Sequence, residues 1–109
     1  MGRRMIAESK IQEAVKLLKE AGQPLRIILY GSYGRGTPHE ESDLDFLVIL
    51  PVVQDRRLEM VRLRRVLSPL RIPVDILVAS DQIFQDWSET PGNIFYEVAR
   101  EGRVLYEAA

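Results

Sequence analysis

Cysteine is absent from the 109 residues, and histidine and tryptophan occur once each. Without cysteine there is no disulfide framework, no thiolate metal site and no cysteine nucleophile. Any metal must therefore sit on oxygen ligands, with His39 as the sole imidazole. No apolar run approaches the ~20 residues needed to cross a bilayer, and the start, Met1-Gly2-Arg3-Arg4-Met5, lacks the apolar stretch of a secretory signal. A cytoplasmic protein without membrane association is expected. An excess of charge of one sign is missing too: 15 basic against 16 acidic side chains leave −1, which argues against a nucleic-acid-binding or membrane-surface domain. Repeats, linkers and low-complexity tracts are absent. At this length folding buries roughly two-thirds of the unfolded surface, enough for one core, so residues 1–109 are read as a single domain and multidomain enzymes are excluded.

With 46% hydrophobic and 28% charged residues, the composition is that of an ordinary globular domain. Its charge is patterned in blocks. Residues 1–36 carry 7 basic and 3 acidic groups, 37–50 none and 4, 51–73 6 and 2, and 74–109 2 and 7. The first acidic block coincides with the most apolar segment, where carboxylates are expensive unless something binds them.

Apolar Ile11, Val15 and Leu18 recur at helical spacing, predicting an amphipathic helix over Met5–Ala21 that Gly22 and Pro24 end. Leu25–Tyr30 reads as a strand that stops at a tight turn, Gly31-Ser32-Tyr33-Gly34-Arg35-Gly36. Thr37–Ser42 is polar loop, and Leu44–Leu50 is apolar apart from Asp45, as in a central strand buried on both faces. Gln54–Leu67 predicts a second amphipathic helix with one basic side, Arg56, Arg57, Arg62, Arg64 and Arg65. Pro69 and Pro73 bracket a turn into the strand Val74–Ala79, interrupted by Asp75. Ser80 and Asn93 are placed to cap two short helices, and an apolar run, Val104-Leu105-Tyr106, follows Gly102. The expectation is an α/β (α+β) fold, a small sheet of three to four strands covered by about four helices.

Asp43 and Asp45 stand two apart at the head of a strand, so alternation points both carboxylates to one face, roughly 6–7 Å apart. They repel each other and pay desolvation in a central strand, an arrangement that makes sense where a hard divalent cation bridges them. Asp75 repeats the anomaly in the next strand. If the strands are neighbours, three carboxylates converge on one or two Mg²⁺ ions, the oxygen-only chemistry of phosphoryl and nucleotidyl transfer. Gly31 and Ser32 lie at the carboxyl end of the preceding strand, where glycine lets backbone approach a phosphate and Ser32 offers a hydroxyl and an N–H. Arg35 adds a charged fork for the same polyphosphate.

Each feature alone has a plainer explanation. Asp-x-Asp is commonly a strand-entry cap, Gly-Ser a turn, Arg35 a surface ion-pair partner, Asp75 the mark of an edge strand facing water, and His39 an exposed loop residue. The basic side of the second helix reads first as a solvated face. Competing motifs fail on spacing: glycines 31, 34 and 36 do not make a dinucleotide Gly-x-Gly-x-x-Gly, and no P-loop Lys-Ser/Thr or Gly-x-Ser-x-Gly elbow is present.

The joint pattern is specific: Gly31-Ser32, ten residues, then Asp43-Leu44-Asp45, then Asp75 inside Pro73-Val74-Asp75-Ile76-Leu77-Val78. It resembles the nucleotidyltransferase superfamily of DNA polymerase β, in particular the minimal nucleotidyltransferases (MNT) of prokaryotes, over about residues 5–105. The resemblance implies a polymerase β-like fold, ATP as substrate and Mg²⁺, two ions, as cofactor. It implies Gly31, Ser32 and Arg35 as nucleotide-binding residues, and Asp43, Asp45 and Asp75 as metal-binding and catalytic ones, Asp75 also helping to activate the attacking hydroxyl. It further implies a helical HEPN partner (higher-eukaryote and prokaryote nucleotide-binding domain), the chain acting as an antitoxin that transfers AMP to the toxin, most simply to a tyrosine. Direct nucleic-acid binding is not expected, and a homo-oligomer is compatible with the sequence. The alternative function is a non-catalytic antitoxin that keeps the fold and neutralises its partner by complex formation. A third, transfer to a small molecule such as an antibiotic, usually needs a second domain to hold the acceptor.

Overall fold

The computed structural model describes residues 5–109; the basic start, residues 1–4, lies outside them. Its elements, in order, are α1 (Glu8–Gly22), β1 (Arg26–Tyr30), α2 (Gly31–Arg35), β2 (Leu44–Leu50), α3 (Arg56–Leu67), a 3₁₀ turn (Ser68–Leu70), β3 (Val74–Ser80), α4 (Asp81–Trp87), α5 (Ile94–Glu101) and β4 (Arg103–Glu107). Together they form the mixed α/β architecture that the sequence pattern predicts.

Helix α1 begins three residues later than periodicity suggests. The Ile6 N–H donates to the Tyr33 hydroxyl at 2.8 Å, and Ala7 is extended, so the preceding segment is tied to α2 instead of joining the helix. At the other end Gly22 remains helical and Gln23 takes the left-handed conformation, φ 48°, its N–H closing on the Lys19 carbonyl. Side-chain caps start three helices: Asp55 accepts from the Leu58 N–H, Ser80 from the Ile83 N–H, and Asn93 from the N–H groups of Phe95 and Tyr96. The last two are the residues the sequence places there.

The sheet order is β3-β2-β1-β4, with β1 antiparallel to both β2 and β4 and β2 parallel to β3. A parallel neighbour requires a crossover, and α3 supplies it. Strand β2 is inner, and every residue but Asp45 is buried. The final apolar run, whose local pattern is too short to define an element, is edge strand β4, which runs beside β1 with a register irregularity between Ile27 and Ile28.

Alternation sorts the sheet into two cores. Ile27, Leu29, Phe46, Val48, Leu50, Ile76 and Val78 face α1 and α3, meeting Ile11, Ala14, Val15, Leu18, Leu63 and Leu67. Ile28, Leu47, Ile49 and Ala79 face α4 and α5, where Phe84 and Val98 are buried and Phe84 meets Phe95 edge to face, centroids 6.3 Å apart. With both faces covered, the polar chemistry is confined to one end of the sheet.

Candidate active site

That end is where β1 finishes and β2 and β3 begin. Pairing register aligns three polar side chains across it: Tyr30 of β1 is opposite Asp45 of β2, and Asp45 is level with Asp75 of β3. Strands lie about 4.8 Å apart, so the two carboxylates stand side by side. By alternation they share the face of Leu47 and Ala79, on the α4 and α5 side, beyond the helices' apolar cover. Asp43 falls one residue before the strand, which starts at Leu44, rather than within it. The preceding loop is fixed by buried Ser42, whose hydroxyl accepts from the His39 N–H at 3.0 Å, and by the Leu44 N–H donating to the Pro73 carbonyl at 2.9 Å.

Crowding of like charge shows in the electrostatics. Burial first, then the Asp75 and Asp43 carboxylates, push Asp45 from its ordinary 3.8 up to about 6, and Arg35 offsets part of this. Burial and the same two strand carboxylates, Asp45 and Asp75, push the Tyr30 hydroxyl up to about 12. All three aspartates therefore act on one locus, although Asp75 is itself exposed on an edge strand, so the plain reading of its place also holds.

The glycine-rich segment differs from expectation. Instead of a tight turn, Gly31–Arg35 forms a five-residue helix that starts where β1 ends. Gly31 has φ +68°, and a Cβ there would strike the Asp45 carboxylate. A Cβ on Gly34 would strike the Leu29 carbonyl. Only glycine lets α2 lie this close to the strand. Ser32 follows immediately, half-buried. Arg35 pairs with Glu101 of α5 at 3.6 Å and also lies within electrostatic reach of Asp45. Tyr30, Gly31, Arg35, Ile94, Glu97, Val98 and Glu101 line a cleft of about 180 Å³ beside the carboxylates. A larger groove, about 880 Å³, runs along α3 between Val52, Leu58 and Arg65 and contains none of the candidate residues.

Arg64, which the sequence places among the solvated arginines of α3, hydrogen-bonds Asp75 Oδ1 through Nη2 at 2.8 Å. Two others of that set are also engaged: Arg56 donates to the Val78 carbonyl, and Arg62 to Glu59 and the Ala21 carbonyl. His39 is exposed, its Nδ1 accepting from the Glu41 N–H. Helical periodicity marks Arg64 as polar but gives no hint of a carboxylate eleven residues on; only the crossover brings them together. The all-oxygen donor set of Asp43, Asp45 and Asp75 suits a hard divalent cation, and the missing Cβ of Gly31 leaves the Asp45 carboxylate its place. Among the described residues no three acidic, histidine or cysteine side chains form a ready-made cage.

Residues 11–98 match the family described as a nucleotidyltransferase domain. The putative protein adenylyltransferase MJ0604 of Methanocaldococcus jannaschii is 35% identical over 107 residues, covering 94% of this chain and 100% of that protein. Among solved structures, a toxin–antitoxin complex with AMP-PNP superposes with a TM-score of 0.63 at 28% identity, over 94% of this chain and 75% of the other. A tri-AMPylated Shewanella oneidensis HEPN toxin in complex with an MNT antitoxin gives a TM-score of 0.60 at 23% identity, over 93% and 72%, a likeness of fold alone. The carboxylate row, the glycine-opened helix beside it and a match over residues 11–98 agree, and the chain belongs to the nucleotidyltransferase domain family.

Proposed function

We propose that this nucleotidyltransferase, acting as one domain over residues 1–109 in the cytoplasm, transfers AMP from ATP to a hydroxyl of a partner protein, a tyrosine of a HEPN toxin. The reading is carried by one observation, the in-register pair Asp45 and Asp75 with Gly31 lying against the Asp45 carboxylate. It is supported by 35% identity to the putative protein adenylyltransferase MJ0604 and by 28% identity to a chain of a toxin–antitoxin structure with AMP-PNP.

In this mechanism Gly31 and Ser32 hold the triphosphate at the start of α2, the serine through its hydroxyl and both through backbone N–H groups. Arg35 adds a positive charge to the same anion. Asp43, Asp45 and Asp75 would hold Mg²⁺, two ions, by their carboxylate oxygens. Held there, Mg²⁺ would supply positive charge against the negative charge that develops on the phosphate oxygens. Asp75, at the open edge of the sheet, orients the acceptor hydroxyl and takes its proton. The acceptor oxygen bonds to the α-phosphorus, the bond to the bridging oxygen breaks, and pyrophosphate leaves with its electron pair.

A sheet of four strands leaves the acceptor side of the groove open, and a macromolecular acceptor supplies that wall itself. The basic side of α3 and the acidic residues 74–109 are the candidate docking surfaces, because opposite charge blocks steer complementary partners. Co-expression with the product of the adjacent gene, followed by intact-mass measurement of that product, tests the proposal. Additions in steps of one AMP are expected with the parent and none with Asp43→Asn. A stable complex whose partner is never modified in excess Mg²⁺ and ATP overturns it in favour of a non-catalytic antitoxin.

Ser32→Ala separates phosphate holding from metal holding. Loss of one hydrogen bond to a charged phosphate is expected to weaken ATP binding about tenfold while Mn²⁺ still binds the carboxylates. Calorimetric titration of each ligand measures both.

A further inference from the structure

Asp75 Oδ1 accepts a 2.8 Å hydrogen bond from Arg64 Nη2. The two side chains are 58% and 57% exposed, and an exposed pair of this kind contributes little to stability and exchanges readily. It is not a strut. The backbone under Arg64, by contrast, is anchored, because its neighbours Leu63 and Leu67 on α3 are fully buried. A fixed base thus carries an exposed guanidinium onto one oxygen of the carboxylate that stands level with Asp45. Arg64 also supplies positive charge to a locus where Asp43, Asp45 and Asp75 gather three negative ones.

We propose that Arg64 is a positioning residue that holds the Asp75 carboxylate while the site is empty and competes directly with a divalent cation for it. The proposal rests on the function proposed above. The single Nη2–Oδ1 hydrogen bond places the guanidinium charge on one oxygen of the Asp75 carboxylate. A cation reaching the same oxygen meets both an occupied ligand and a repelling charge. A cation that takes Oδ1 therefore displaces Arg64, and the free enzyme binds the metal more weakly than its three carboxylates alone would.

The test is titration of the full chain with Mn²⁺ in the absence of nucleotide, read by the electron paramagnetic resonance signal of the unbound ion. Arg64→Gln is expected to tighten Mn²⁺ binding about 1.5- to fivefold, the range set by release of one exposed ion pair. Arg64→Lys, which keeps the charge, is expected to stay near the parent value. Melting curves without metal confirm that each variant is folded. Equal or weaker Mn²⁺ binding by folded Arg64→Gln overturns the proposal. A parent that binds no Mn²⁺, or binds it equally after Asp45→Asn, overturns the carboxylate metal site itself, and the role of Arg64 with it.

Discussion

Asp45→Asn is expected to lower Mg²⁺- and ATP-dependent AMP transfer by about 10²- to 10³-fold, the scale of losing one electrostatic contact to a charge-developing transition state. The same change is expected to leave the metal-free fold as stable as the parent or more so. Asp45 titrates near 6 in the folded chain against 3.8 ordinarily, because burial and two neighbouring carboxylates oppose its ionisation. Between those values the unfolded chain has released the proton that the folded chain still holds, so folded stability falls as pH rises through this window. Above about 6 the full cost is present, and below about 4 it is absent. Discounted for solvent screening at a half-buried carboxylate, that cost is about 1 kcal/mol. Asparagine removes it, which corresponds to a melting temperature about 4 °C higher at pH 8 and a gain that vanishes by pH 4. Melting curves of both proteins across this range measure it. If Asp45→Asn instead unfolds the metal-free chain, the carboxylate is structural.

Gly31→Ala carries the largest expected cost in stability. At φ +68° a side chain is strained by about 1–2 kcal/mol, and the added methyl meets the Asp45 carboxylate. Together these are expected to destabilise the fold by about 2–4 kcal/mol and to abolish nucleotide binding. Shortening the opposing side chain separates the two causes. In an Asp45→Ala background the collision disappears and the backbone strain remains, so the two substitutions are expected to couple by about 1 kcal/mol. Denaturant unfolding of the four proteins measures that coupling. Strict additivity would mean that α2 shifts away from β2 without resistance and that the close approach is not constrained.

The parts of this fold legible in the sequence are those set by local chemistry. Ser80 and Asn93 cap helices because each offers a side-chain oxygen to N–H groups two or three residues on. The run Leu44–Leu50 has too little polarity for anything but an inner strand. Gly31–Arg35 is harder to read, since three glycines in six residues favour a turn, while the helix there is short and held by its contact with β1. Strand β4 depends on β1, a neighbour more than seventy residues away. For the candidate site, the spacing of Gly31, Ser32, Asp43, Asp45 and Asp75 is what singles these residues out as candidates. Their mutual arrangement is another matter: the level pairing of Asp45 with Asp75 is fixed by the crossover through α3. The same crossover delivers Arg64, and no local pattern distinguishes it from Arg65 beside it.

Transfer of label from ATP to the partner protein tests the central claim most directly. With Mg²⁺, ATP labelled at the α-phosphorus is expected to label the partner and release unlabelled pyrophosphate, and Asp45→Asn is expected to remove that label. ATP labelled at the γ-phosphorus is expected to leave the partner unlabelled. Partner labelling from the γ position, or α-labelling undiminished in Asp45→Asn, would contradict AMP transfer by this carboxylate site.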